Sequence, residues 1–424
     1  MAAVLRQTRS VCPVCLTPIP ALLEETDGQI FLTKTCPDHG HFSVPVWRGM
    51  VDFALWTKDA APLGSAGQRC PQNCGLCREH ESGSCCVLLE VTRRCNLHCR
   101  FCFASGGQPE SDPPLAELKQ AISRIAAQCG RPLLQLSGGE PTLREDLPEL
   151  ISCAKAMGCS YVQLNTNGLR LAREPDYAKK LAQAGLDIVF LQFDGVEESV
   201  YDTLRGRPLL AEKCQAIQVC GQLGIGVTLV PTLVPGVNTR QLGALVDFAK
   251  RQIPYVRGIH FQPVSYFGRH PGAPEQDQRY TLDQLMADLS RQTGLPFGSF
   301  LPSRCDHPLC GFHCKVLVDS SGQLRPLATL TAEPQPRKQA QDNREYVARA
   351  WQRYPQEPEP PGSSDSDMDF DTFLYRLRHH SLTLSAMAFQ DAMNLNIERL
   401  HRCSLHVYNN GRIVPFCANY LTKL

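Results

Sequence analysis

The 424-residue sequence has almost no net charge, +1 from 43 basic and 42 acidic residues. A chain so balanced offers no field to a polyanion, which sets nucleic acid aside as a partner. It lacks any apolar run approaching the roughly 20 residues that span a bilayer. Its opening residues, MAAVLRQTRSVCPVC, lack the apolar centre of a secretory signal. These absences read as a cytoplasmic chain with no transmembrane segment, peripheral membrane contact being allowed. No DxHxxG-type segment and no additional Rossmann-like pattern occur, which argues against cobalamin. Apolar residues make up 43% and charged residues 20%, an ordinary globular composition. The length suits about two to four domains.

Cysteine, in contrast, is abundant, with 21 residues. Without an export signal, and with metal-ligand spacings, these read as reduced thiolates holding iron rather than as disulfides. Cys95, Cys99 and Cys102 in EVTRRCNLHCRFCFA supply three thiolates to a 4Fe–4S cluster that needs four ligands, leaving one iron open. A zinc knuckle is the competing reading. The triad follows an apolar run, Val87 to Thr92, suited to a buried parallel strand. The next such run, Leu133 to Leu136, ends in Ser137, Gly138, Gly139, Glu140 and Pro141. Glycines there let backbone approach a ligand closely, and Glu140 adds an acceptor for an ammonium group. These residues, with Phe101 before the last cysteine, resemble the radical SAM superfamily. The resemblance implies that S-adenosylmethionine (SAM) occupies the open iron with its methionine end on the GGEP element. It also implies that reductive cleavage there yields a 5′-deoxyadenosyl radical.

From Val87 to about Ser265, six strand-like runs alternate with amphipathic stretches such as Leu115 to Cys129, Leu147 to Met157 and Tyr177 to Ala184. Right-handed crossovers between parallel strands would curl such an α/β chain into a partial (β/α)6 barrel, the superfamily core. Polar residues collect at the strand ends, where α/β barrels place their chemistry. They are Asn165, Thr166 and Asn167, then Gln192 and Asp194, Pro231 and Thr232, and Gln262 and Ser265. The resemblance implies SAM contacts at such positions, first at Asn165, Asn167 and Asp194, with Gln192 also facing inward. Asn167-Gly168 has a plainer reading as a turn.

Three further cysteine groups flank the barrel. Cys12, Cys15 and Cys36 with His39 suit a mononuclear zinc or iron site, His41 being the alternative fourth ligand and an unmetallated redox pair the rival reading. Cys70, Cys74, Cys77 and Cys85 are read as an auxiliary 4Fe–4S site, with Cys86 or His80 as alternates and zinc as the rival metal. Cys305, Cys310, Cys403 and Cys417 are read as a second auxiliary cluster, with Cys314 spare. Cys129, Cys153, Cys159, Cys214 and Cys220 read as packing residues. Thr372 to Cys403 reads as helix, its Ala386 to Leu400 portion either lining a lipid groove or packing on the barrel. The expected domains are a rubredoxin- or zinc-ribbon-like module at 1–60, an auxiliary cluster segment at 61–86, the barrel at 87–300, and a C-terminal cluster region at 301–424. A flexible insertion is expected near 333–370.

Taken in order, CPVC, CPDHG, CPQNCGLC, CNLHCRFCFA, SGGEPT, LNTNGLR, LQFDG, LVPTLVPGVN, FQPVSYFGR, CDHPLC, MAFQDAMN and PFC resemble the tetraether lipid synthase family from Cys12 to Cys417. That resemblance implies three 4Fe–4S clusters, one mononuclear metal and carbon–carbon coupling between saturated lipid chains. The family also includes pterin-directed radical methyltransferases, so methylation of a pterin or another small molecule is the alternative. A non-catalytic iron–sulfur relay and a zinc-rich interaction module are rivals from other classes. Reduced ferredoxin or flavodoxin is the expected electron donor. Cys314 and the short chain depart from the archaeal lipid enzymes.

Overall fold

The first 47 residues alternate small apolar and polar side chains between tight turns, a pattern for a short antiparallel sheet. The computed structural model describes residues 2–60, 70, 71, 76, 77, 79–108, 111–272, 275, 278–333, 338–355, 357, 358, 360 and 369–423. In it β1 (Ala3–Val11), β2 (Pro18–Thr26), β3 (Gln29–Cys36) and β4 (Gly40–Trp47) form a four-stranded meander in chain order. Alternate residues of β3 are buried, Ile30, Leu32 and Lys34 among them. This sheet rests on the C-terminal part of the chain. Lys34 Nζ donates to Ala392 O (2.7 Å) and Ser10 Oγ donates to Leu395 O (2.5 Å). Arg6 pairs with Glu398 at 3.0 Å.

All six runs of the barrel are strands. They are β5 (Cys86–Thr92), β6 (Leu133–Gly138), β7 (Val162–Thr166), β8 (Ile188–Gln192), β9 (Gly226–Val230) and β11 (Val256–Pro263), with the short β10 (Thr232–Leu233) paired to β11. They are parallel and adjacent in the order β11-β9-β8-β7-β6-β5. Outward residues such as Leu134, Leu136, Val162 and Leu164 are fully buried beneath the helices. Their neighbours in sequence, Gln135, Ser137, Gln163 and Asn165, therefore face the barrel interior, because side chains alternate along a strand. The helix Leu115–Cys129 buries Leu118, Ile122 and Ile125, one stripe at helical spacing.

The sheet is wider than the sequence suggests. Beyond β11 come β15 (Ser381–Met387), parallel to it, then β13 (Gly311–Val318), antiparallel, with β12 (Leu301–Pro302) and β14 (Leu324–Pro326) at its sides. On the other edge β16 (Leu405–Asn409) runs parallel to β5 and turns into β17 (Arg412–Pro415).

Strand β15 corrects the reading of Thr372 to Cys403 as helix. Only Phe370–His379 and Ile397–His401 are helical. The SLTLSAM run is hydrogen-bonded along both edges, to β11 and β13, and all but its last residue are buried, which makes it an interior strand of the sheet. No apolar helix Ala386 to Leu400 exists to line a lipid groove. Part of the expected flexible insertion is likewise ordered, since Ala340–Trp351 is a helix across the lower end of the barrel. Residues 334–337, 356, 359 and 361–368 of that insertion lie outside the described residues. Among the described residues no helix is long and apolar enough to cross a membrane.

Candidate active site and metal centres

Cys95, Cys99 and Cys102 occupy the loop leaving β5, at the C-terminal mouth of the barrel, and all three line one cavity of about 300 Å³. Backbone pairing holds this loop open. Cys102 and Arg269 exchange N–H···O bonds at 2.9 Å, and Arg269 donates from Nε to Cys99 O (2.8 Å) and from Nη1 to Gly106 O (3.0 Å). Three thiols on an irregular loop, each reaching the same space, fit three corners of a 4Fe–4S cluster. Burial pushes the Cys95 thiol up to about 12, so binding iron there releases a proton.

The Ser137–Glu140 turn packs directly on that loop. Gly139 N–H donates to Thr92 O (2.7 Å) and Glu140 N–H to Arg94 O (2.8 Å). A Cβ at Gly139 would stand 2.1 Å from Arg94 O, and one at Gly138 2.2 Å from Thr92 O. The glycines thus let two segments of the protein itself pack closely, and both also line the cavity. Glu140 is fully buried and already held by four donors. Its Oε1 accepts from Thr142 N–H (3.1 Å), Thr142 Oγ1 (2.6 Å) and Thr166 Oγ1 (2.6 Å), while Oε2 accepts from Asn167 N–H (2.7 Å). Capacity for an ammonium remains on Oε2 alone. The carboxylate's first effect is to brace the turn against β7.

Phe101, Ser137, Gly138, Gly139, Glu140, Asn165, Asn167 and Gln192 line the cavity. Pro141 does not; it opens a 3-10 turn behind the loop. Asp194 does not reach the cavity either. It is fully buried and grips Arg205, with Nη2 to Oδ1 at 2.6 Å and Nε to Oδ2 at 2.7 Å. Arg205 is the residue that faces the cavity, beside Cys99. Lys213, also buried, donates to Asn167 O (2.5 Å) and Gln192 Oε1 (3.3 Å). Neither cation has a spacing signal in the sequence, because each arrives from a helix to meet another strand's end.

At the N-terminal site the ligand atoms of Cys12, Cys15, Cys36 and His39 all lie within 4.8 Å of one another. His39 Nδ1 is 3.7 Å from Cys12 Sγ and 3.4 Å from Cys36 Sγ. His41 instead bonds Thr35 Oγ1, at 3.3 Å. Three sulfurs and one imidazole nitrogen are a donor set for tetrahedral zinc or iron.

The auxiliary groups are arranged differently from their order in the chain. Cys305 lies against Cys85, whose thiol raises that of Cys305, and Ser404 Oγ is 3.1 Å from Cys305 Sγ. Asn343 Nδ2 donates to Cys85 Sγ at 3.4 Å. Cys310, Cys403 and Cys417 form a separate set: burial raises all three thiols, Cys417 and Cys310 add to the rise of Cys403 and Cys310 to that of Cys417, and Arg399 Nε donates to Cys310 Sγ (3.4 Å). Cys305, read with Cys310, Cys403 and Cys417, thus stands beside Cys85, while Cys310 ends the 3-10 turn Pro308–Cys310 that precedes β13. Cys314 sits alone in the apolar core, as a spare residue would. Cys70 packs beside Ile397 and Val414, Cys77 is exposed, and Cys74 lies outside the described residues. Cys86 contacts Gln135 Oε1, and His80 contacts Cys403 O and His406. Among the described residues no disulfide joins the cysteines.

Comparison with known proteins agrees with the barrel and the N-terminal ribbon. Residues 89–249 match the radical SAM superfamily, and residues 4–48 match the HMPTM N-terminal zinc ribbon domain. A 7,8-dihydro-6-hydroxymethylpterin dimethyltransferase of Methanocaldococcus jannaschii is 32% identical over 97% of this chain and 92% of its own length. A probable GTP 3′,8-cyclase of Sulfolobus acidocaldarius is 29% identical over 42% of this chain and 56% of its own. Among solved structures, Streptococcus suis SuiB matches with a TM-score of 0.41 and 16% identity over 50% of this chain and 45% of that one.

Proposed function

Since this chain belongs to the radical SAM superfamily, we propose that it is a methyltransferase of that superfamily acting on a pterin. The relative that spans nearly the whole chain is named for pterin dimethylation, and the ribbon at 4–48 matches a domain named with it. That full-length likeness carries the reading. It favours the alternative stated above over the coupling of lipid chains.

The cavity supports the same choice. Among the described residues Arg205 is its one Arg or Lys side chain, and Asp194 already neutralises it. A triphosphate such as GTP would need cations that are missing here. Saturated lipid chains would meet the side-chain amides of Gln135, Gln163, Asn165 and Gln192, which lose hydration against an alkyl surface. A neutral heterocycle carrying its own donors and acceptors suits them.

In this reading Cys95, Cys99 and Cys102 hold the cluster, which with SAM supplies the electron and the 5′-deoxyadenosyl radical. Gly138, Gly139 and Glu140 with Asn167 shape the seat for the methionine end. Arg269 fixes the loop's backbone, Lys213 orients Gln192, and the barrel wall shields a reactive intermediate from water. Auxiliary clusters on the remaining thiols and a ferredoxin or flavodoxin donor belong to the same proposal.

The test is anaerobic incubation of iron-loaded enzyme with dithionite, SAM and 7,8-dihydro-6-hydroxymethylpterin, read by mass spectrometry. Deoxyadenosine with a pterin heavier by one or two methylenes supports the proposal. A polar-lipid extract yielding a product two hydrogens lighter, with the pterin untouched, replaces it by coupling. Absence of deoxyadenosine from cluster-replete protein returns the reading to an electron relay.

A further inference from the structure

The cavity has two ends of different character. Its upper end holds the cysteine loop and the Ser137–Glu140 turn. Its lower end is closed by the helix Ala340–Trp351, which Arg344 pins by donating to Ser84 O (2.9 and 2.6 Å), Cys129 O (2.8 Å) and Gly130 O (2.6 Å). The last residue of that helix, Trp351, packs with Phe190 and His260 at centroid distances of 4.6 and 5.9 Å. Phe190 and His260 are 5.6 Å apart. All three rings line the cavity.

Two features mark this wall as built for a ligand. Trp351 Nε1–H is buried with no hydrogen-bond partner among the described residues, a deficit worth about 1–3 kcal/mol unless something in the cavity accepts from it. Facing it, Gln135 and Gln163 project from adjacent strands on the inward face, one alternation below Ser137 and Asn165. Each amide offers a donor and an acceptor. His260 is neutral at ordinary pH, burial lowering it to about 4, and its Nδ1 is tied to Ser385 Oγ at 2.9 Å. No Arg or Lys side chain among the described residues joins this end.

We propose that the lower chamber is the acceptor site, and that it binds a flat, uncharged heteroaromatic ring in the corner between Trp351 and His260, whose planes stand 72° apart, its amide-like edge read by Gln135 and Gln163. The inference rests on the pterin reading and places the substrate within it. The imidazole face supplies contact area, the indole presents its N–H edge, and the two amides set orientation. A ring without alternating donors and acceptors would leave the Trp351 N–H unpaired and the free amide groups of Gln135 and Gln163 without a match, so the chamber selects pterin-like edges over plain aromatics.

The experiment is equilibrium dialysis of 7,8-dihydro-6-hydroxymethylpterin against iron-loaded, SAM-bound enzyme and its Trp351→Leu, Trp351→Phe, Gln163→Leu and Gln163→Glu variants. Iron content and SAM affinity are measured alongside. Weakening by about tenfold or more for Trp351→Leu and for Gln163→Leu, less for Trp351→Phe, with iron and SAM affinity retained, is the expected result. Wild-type affinity in both leucine variants, while the wild type methylates the pterin, overturns the assignment of the chamber and leaves the pterin reading standing. A wild type that neither binds nor consumes the pterin at full iron content overturns both. Where a leucine variant loses iron, the phenylalanine and glutamate variants decide by the same comparison.

Discussion

Asp194 and Arg205 form a two-point ion pair, at 2.6 and 2.7 Å, whose members are both buried and whose cation stands beside Cys99. The carboxylate comes from the end of the fourth barrel strand and the guanidinium from the helix Glu198–Arg205. Removing one member leaves an uncompensated charge in the interior. Asp194→Asn is therefore expected to cost about 3–5 kcal/mol. Denaturant titration reads that loss, and iron analysis should show a less fully loaded cysteine loop.

Gly139→Ala places a methyl carbon 2.1 Å from the Arg94 carbonyl, a backbone atom that can yield only by moving the cysteine loop. Overpacking of this kind costs about 1–3 kcal/mol. SAM cleavage by the variant should fall at least about tenfold, measured as deoxyadenosine released under dithionite.

The pairing of Cys85 with Cys305 predicts a pattern of iron loss. Cys85→Ser and Cys305→Ser should each lose iron from one site, and the double variant should lose no more than either. Cys305→Ser with Cys310→Ser should lose iron from two. Cys314→Ser should keep the wild-type content. An additive loss for the first pair would separate the two thiols.

Removing the N-terminal metal, by chelation or by Cys36→Ser, should be felt far along the chain. The ribbon holds the segment Ala392 to Glu398 through Lys34, Ser10 and Arg6. Amide exchange in that segment should quicken as the ribbon loosens.

His260 gives a pH signature. Burial lowers its folded value to about 4 from 6.5, so between these values the unfolded chain binds a proton that the folded chain refuses. Its contribution is intact above pH 6.5 and is lost progressively as pH falls from 6.5 to 4. His260→Gln should flatten that part of the stability curve, read from urea midpoints across the window. His313 and His406, also lowered by burial, keep their own share of the slope.

What the sequence determined by itself is whatever depends on neighbours in the chain. The spacing of Cys95, Cys99 and Cys102, the GGEP turn, the CxxC of the ribbon and six alternating strands are all local patterns. Each was legible because one loop or one strand suffices to present it. What only the tertiary structure decided depends on which segments meet. Ser381–Met387 is a strand because β11 and β13 flank it. Asp194 serves Arg205 rather than a ligand because a helix returns a guanidinium to it. Cys305 finds Cys85 across 220 positions, and Trp351 reaches His260 from a segment that reads as mobile. Local spacing carries no information about such meetings, since burial and charge pairing are settled by surfaces that come together only when the barrel closes.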